Sequence, residues 1–147
     1  MNSIKCLKTV VIILKKLLKA KNLNKPYNGG LGSYSLFLMA AAYFSMNPVS
    51  NAAEGMIGFL DFYSRTFDNL NMGILFDGNQ LQFFALESPK PQNRLVILDL
   101  MDPSSNTASC VNSYDEIRNC FEIGLKKIRE SINFPNSSNS VLENLFM

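Results

Sequence analysis

Residues 14–44 read LKKLLKAKNLNKPYNGGLGSYSLFLMAAAYF, and the fold turns on how this stretch is parsed. Its beginning closes a basic amphipathic segment. Ile4, Leu7, Val11, Leu14 and Leu18 follow a 3-4-3-4 spacing, which predicts one helical stripe over about residues 3–21. Lys8, Lys15 and Lys19 fall together on another part of that helix. Asn22 to Gly32 reads as a loop, punctuated by Pro26 and the Gly29-Gly30 pair. Ser33 is then expected to cap the apolar helix SYSLFLMAAAYF, which ends near Met46 because Asn47-Pro48 breaks it.

Downstream, Ser50 or Asn51 is a cap for a third helix, with Glu54 in its first turn. Met56, Phe59, Leu60, Tyr63 and Phe67 sit at helical spacing and are read as core. From Gly73 the period changes. GILF, Asp77-Gly78 and QLQFFAL form a hairpin pattern with a tight turn. Pro89 and Pro91 mark a loop, and Leu95 to Leu100 is a short buried strand. Asp102-Pro103 opens a polar loop. Tyr114 to Ile132 is amphipathic, with Ile117, Phe121, Leu125 and Ile128 on one face. The predicted fold is mainly α within the α+β class: a helical domain with a small β-hairpin and one short additional strand. The domain spans 1–132, and a mobile tail is expected over 133–147, where NFPNSSNS is low in complexity.

Composition narrows the chemistry. The 147 residues are 47% hydrophobic, enough apolar mass for one core. There is no His, so a Ser-His-Asp triad and a His-ligated zinc site are excluded. Three Cys, with no C-x-x-C spacing, exclude a disulfide framework and a four-Cys zinc site, and reduced thiols in an intracellular protein are expected. Cys6 and Cys120 fall at helical core positions. No run approaches the roughly 20 apolar residues that span a bilayer.

Charge is unevenly placed. Residues 1–25 carry seven Lys and no acid, so the remaining seven basic residues and twelve acids leave the rest at −5. Phosphate, nucleic acid and anionic lipid all remain open as partners. Three readings of the first helix stand side by side: a solvated Lys face on a core-packed helix, an anion-binding face, and a membrane-surface helix.

A self-sufficient active site is not evident. Asp99 and Asp102 are three apart across a strand end, and Asp115-Glu116 open a helix; neither pair has D-x-D spacing. Gly29, Gly30 and Gly32 are not followed by Gly-Lys-Ser/Thr, so there is no P-loop. A binding surface is better supported. Lys15 and Lys19, one turn apart, can clasp a polyphosphate. Ser33 and Tyr34 start the next helix, where an anion is favoured and an aromatic ring can stack on a base. Taken alone, Tyr34 reads more readily as a core or staple residue than as a stacking one.

These residues together resemble the non-canonical poly(A) RNA polymerases and terminal uridylyltransferases, of the DNA-polymerase-β-like nucleotidyltransferases. Residues 14–44 match a Lys-bearing helix, an L-N-x-x-[YF]-x-G-G turn and an apolar helix. LVILDLMDPSSNTASCVNSYDEIRNCFEIGL, residues 95–125, is similar to the family's nucleotide-recognition region. GMIGFLDFYSRTFDNLNMGI resembles the helix between them. The resemblance covers residues 5–132 and is strongest to the PAP-associated, central domain of the nuclear, exosome-assisting enzymes.

The resemblance implies roles for individual residues. Lys15, Lys19 and Ser33 would contact the triphosphate, and Tyr34 would stack on the base. Asp102 and Asn106 would lie in the loop that reads base edge and sugar. The uridylyltransferases carry a His in that loop; its lack here leans toward ATP or toward weak discrimination between nucleotides. The family's catalytic carboxylates lie on an upstream palm domain that these residues do not include. The chain is therefore expected to be inactive alone, with Mg2+ or Mn2+ bound only if a palm-bearing polypeptide is supplied. Implied partners are an RNA 3′ end and RNA-surveillance proteins, in a nuclear setting. The alternative is a catalytically dead scaffold or interaction module derived from the family.

Overall fold

The computed structural model describes residues 3–101 and 106–133. Four helices enclose one core, and a small sheet closes one side. Helix α1 (Ser3–Ala20) packs against α2 (Ser33–Met46), α3 (Ala52–Asp61) and α4 (Tyr114–Asn133). The buried face of α1 is wider than the predicted stripe. Val11, Leu14 and Leu18 are buried as expected, and Cys6, Val10, Ile13 and Leu17 join them, while Ile4 is exposed. Contact with three helices accounts for the extra width, because each buries a different part of the α1 surface.

The link from α1 to α2 is held by backbone hydrogen bonds. Leu23 N–H donates to Leu18 O (2.9 Å), and Leu31 N–H donates to Leu23 O (2.7 Å). Leu23 and Leu31 plug into the core. Gly29 adopts a left-handed φ of 81°. A Cβ at Gly30 would lie 2.5 Å from Leu23 O, so only glycine permits that approach of chain to chain. The predicted cap moves by one residue. Gly32, still extended, gives its carbonyl to Leu36 N–H (3.0 Å), and Ser33 is the first helical residue. Ser33 is exposed at the start of the helix.

Helix α3 starts on a reciprocal cap. Asn51 Oδ1 accepts from Glu54 N–H (2.9 Å), and the Glu54 carboxylate accepts from the Ser50 hydroxyl. The helix does not run regularly to Phe67. After Asp61 the backbone widens over Phe62–Thr66, and Phe67 N–H reaches back five residues to Phe62 O (2.8 Å). Met56, Phe59, Leu60, Tyr63 and Phe67 are nevertheless all buried. Tyr63 and Phe67 stack edgewise at 5.3 Å, and Phe59 meets Phe121 of α4 at 5.3 Å. The Tyr63 hydroxyl donates to Met39 O (2.6 Å), which satisfies the one polar atom of a fully buried ring.

The sheet has order β2-β1-β3. β1 (Met72–Phe76) pairs antiparallel with β2 (Leu81–Ala85) across a four-residue turn, where Asp77 Oδ1 accepts from the Asn79 and Gln80 N–H groups. β3 (Ile97–Asp99) runs parallel to β1, with Ile74 opposite Ile97 and Phe76 opposite Asp99. Asn69 braces the approach to β3. Its buried amide donates to Gln92 O (2.8 Å) and Arg94 O (2.7 Å) and accepts from Arg118. Cys6 and Cys120 are buried as expected, whereas Cys110 is exposed. Among the described residues, no helix is long and apolar enough to cross a membrane. The expected tail lies, beyond Asn133, outside the described residues.

Candidate nucleotide-binding site

The rigid loop after α1 carries the start of α2 back beside the end of α1. Between them lies a cavity of about 200 Å3 lined by Lys15, Lys16, Leu18, Lys19, Asn24 and Ser33, among others. Leu18 and Leu31 form its apolar floor, and the three lysines stand exposed at its rim. Ion pairs among the described residues join Asp61 to Arg65 and Arg129, and Asp115 to Arg118; the α1 lysines take part in none of them. Asn24 Oδ1 is buried there without a hydrogen-bond partner. The first N–H groups of α2 have no intrahelical acceptors, and Ser33 at its start lines this cavity. The cavity therefore offers positive charge, a hydroxyl and amide groups, the chemistry that receives an anion.

Ser33 also lines a second cavity of about 210 Å3, together with Tyr34, Ser35, Thr107, Cys110 and Val111. Tyr34 is 49% exposed, so its ring is not a core residue. Its hydroxyl donates to Asp99 Oδ2 at 2.5 Å, across 65 residues of sequence. Asp99 ends β3 and is 6% exposed; its Oδ1 accepts from Met101 N–H (2.9 Å). The hydrogen bond to the Asp99 carboxylate, with some burial, holds the Tyr34 phenol above its ordinary pKa. Next along α2, Ser35 Oγ donates to Thr107 O (3.2 Å), and Thr107 N–H donates to Ile97 O (2.8 Å). The first turn of α2 is thus stitched to β3 and its following loop at two points.

Four of the six predicted site residues converge. Lys15, Lys19 and Ser33 share the first cavity, and Ser33 and Tyr34 share the second. Asn106 is placed differently. Its Oδ1 accepts from Ile97 N–H (2.7 Å) and Ala108 N–H (3.0 Å), and its Nδ2 donates to Leu95 O (2.8 Å). The carboxamide is committed to holding the loop onto β3, and the residue lines a wider groove of about 650 Å3 beyond that strand. Asp102 lies outside the described residues. Three further residues enter the site: Lys16, Asn24 and Asp99. Asn24 stands inside the quoted loop motif, and Asp99 is the carboxylate at the strand end, three residues before Asp102.

Among the described residues, no three Cys, Asp or Glu side chains gather to hold a metal ion.

The arrangement of helices and sheet defines a mainly α, nucleotidyltransferase-like fold. The polymerase core of TRAMP, described as an RNA surveillance complex, superposes with a TM-score of 0.85 over 95% of this chain and 50% of that one, at 21% identity. The Cid1 poly(U) polymerase superposes with a TM-score of 0.67 over 97% of this chain and 56% of that one, at 19% identity. In sequence, the Drosophila melanogaster inactive non-canonical poly(A) RNA polymerase protein Trf4-2 is 33% identical over 110 residues, 67% of this chain and 27% of that protein. No protein-family model matches the chain. The chain belongs to the non-canonical poly(A) RNA polymerase and terminal uridylyltransferase family. It spans between 9% and 27% of the length of the curated relatives it matches.

Proposed function

We propose that this chain is the nucleotide-binding central domain of a template-independent RNA 3′-end nucleotidyltransferase of the poly(A) polymerase type. The observation that carries the reading is the pair of adjoining cavities that meet at Ser33. One gathers Lys15 and Lys19, which suit a triphosphate; the other presents the open ring of Tyr34, which suits a base. The two together match a nucleoside triphosphate in chemistry: charge at one end, stacking at the other. ATP is the favoured nucleotide, because the chain has no His with which to read a uracil edge in the loop after β3.

Catalysis requires metal-bound carboxylates to stabilise the charge on the transferring phosphoryl group. In this reading a palm-bearing segment or polypeptide supplies them, the RNA 3′ end lies between the two parts, and the setting is nuclear RNA surveillance. A second reading, an inactive scaffold of the same fold, is favoured by the exposure of Phe37, Leu100 and Met101 near Tyr34. The name of the inactive relative is in keeping with it. Equilibrium titration with ATP and UTP separates the two. Millimolar or tighter ATP binding that Lys15→Ala/Lys19→Ala abolishes supports the first; no binding of either nucleotide refutes it.

A further inference from the structure

We propose that Asp99 is a positioning residue: it holds the Tyr34 ring at the mouth of the second cavity, ready to receive a base. This rests on the reading of Tyr34 as the stacking residue. The argument starts from what Asp99 costs. A carboxylate that is 6% exposed at the end of the run LVIL is expensive to desolvate, and an apolar residue would close β3 more cheaply. No cation offsets it: Asp99 is in none of the ion pairs among the described residues. Among the described residues its compensation comes from two donors, the Met101 N–H and the Tyr34 hydroxyl.

The second donor is on a half-exposed side chain. A tyrosine on a helix surface otherwise samples several rotamers, and fixing one when a base arrives subtracts from affinity. The 2.5 Å bond to Asp99 fixes the ring beforehand. It anchors the phenol tip to the strand while the Cα is anchored by the first turn of α2, so both ends of the ring are held. The residue is still 49% exposed, and the phenol proton is already committed to Asp99. Tyr34 thus serves as a stacking platform rather than as a donor to the base.

The test is a double-mutant cycle on ATP binding, using the whole chain. Asp99→Ala and Tyr34→Phe are each expected to weaken ATP about fivefold, the cost of immobilising one side chain. The double variant is expected to bind no more weakly than either single one. Asp99→Asn keeps an acceptor oxygen and is expected to bind within about twofold of the parent. An Asp99→Ala loss that persists in full on the Tyr34→Phe background would overturn the proposal, because the carboxylate would then act through something other than the phenol. Equal ATP binding by Asp99→Ala and the parent would overturn it as well.

A second readout does not depend on nucleotide. The absorbance titration of the parent minus that of Tyr34→Phe isolates the Tyr34 ionisation. Asp99→Asn is expected to shift it to lower pH, since a neutral acceptor no longer opposes the phenolate. An unshifted ionisation refutes the pairing. If the pairing appears there but the parent does not bind ATP, the proposed function fails and the positioning role fails with it.

Discussion

The cavity proposed for phosphate is rimmed by three lysines reaching from one helix, whereas the cavity proposed for the base is walled by residues of the α1–α2 loop, the first turn of α2 and the loop beyond β3. The first has charge without protein partners in the ion pairs described; the second has Tyr34, whose hydroxyl is engaged by the buried Asp99 carboxylate. The difference separates affinity from order. Exposed lysines add little to folding and are free to meet a ligand. The Tyr34–Asp99 and Ser35–Thr107 bonds tie distant segments together, so changes there affect both folding and binding.

That contrast is most sharply broken by Lys15→Ala/Lys19→Ala. Two charge-assisted contacts removed together should weaken ATP about a hundredfold while leaving the melting temperature within about 2 °C of the parent. Calorimetric titration and thermal unfolding check both halves. Tyr34→Ala should show the opposite mixture. ATP weakens about tenfold for lack of stacking, and urea unfolding reports a loss of about 1–2 kcal/mol because Asp99 is left with an unpaired oxygen.

Alkaline pH sharpens the base-side half. The Tyr34 phenol is held above its ordinary pKa by the bond to Asp99, so the folded state keeps a proton that the unfolded chain releases first. This stabilisation is complete below the unfolded value of about 10 and is lost as pH rises through the folded one. Tyr63 and Tyr114, both raised by burial, act in the same direction. Comparing urea midpoints at pH 9 and pH 11, the drop should be smaller in Tyr34→Phe than in the parent.

The smallest effect concerns the thiols. Cys110 lines the base-side cavity and is exposed, while burial pushes the Cys120 thiol up to about 11. Mass spectrometry after brief alkylation at pH 8 should find Cys110 modified first and Cys120 intact. ATP should slow Cys110 roughly twofold to threefold by occupying the cavity. Equal rates with and without ATP would place the base elsewhere.

What could be read from the sequence follows the range of each interaction. Lys15 and Lys19 are neighbours by helical period, and Ser33 and Tyr34 follow from the loop and the apolar run, so all four were visible. The α3 cap and the hairpin were visible for the same local reason. Asp99 was seen only as a carboxylate three residues from Asp102, because its partner lies 65 residues away. The resemblance places Asn106 in the recognition loop; that its amide also bonds the backbone of Leu95 and Ile97 is a feature no local pattern signals. The widened turn after Asp61 was hidden because it keeps Tyr63 and Phe67 in the core at almost helical spacing.

The central claim is that one nucleotide spans both cavities, and titration with its separated halves tests it most directly. Inorganic tripolyphosphate should bind the parent and Tyr34→Ala alike and fail with Lys15→Ala/Lys19→Ala, whereas ATP should be weakened by either change. If tripolyphosphate and ATP respond identically to both variants, or if Tyr34→Ala leaves ATP untouched, the two cavities do not form one site.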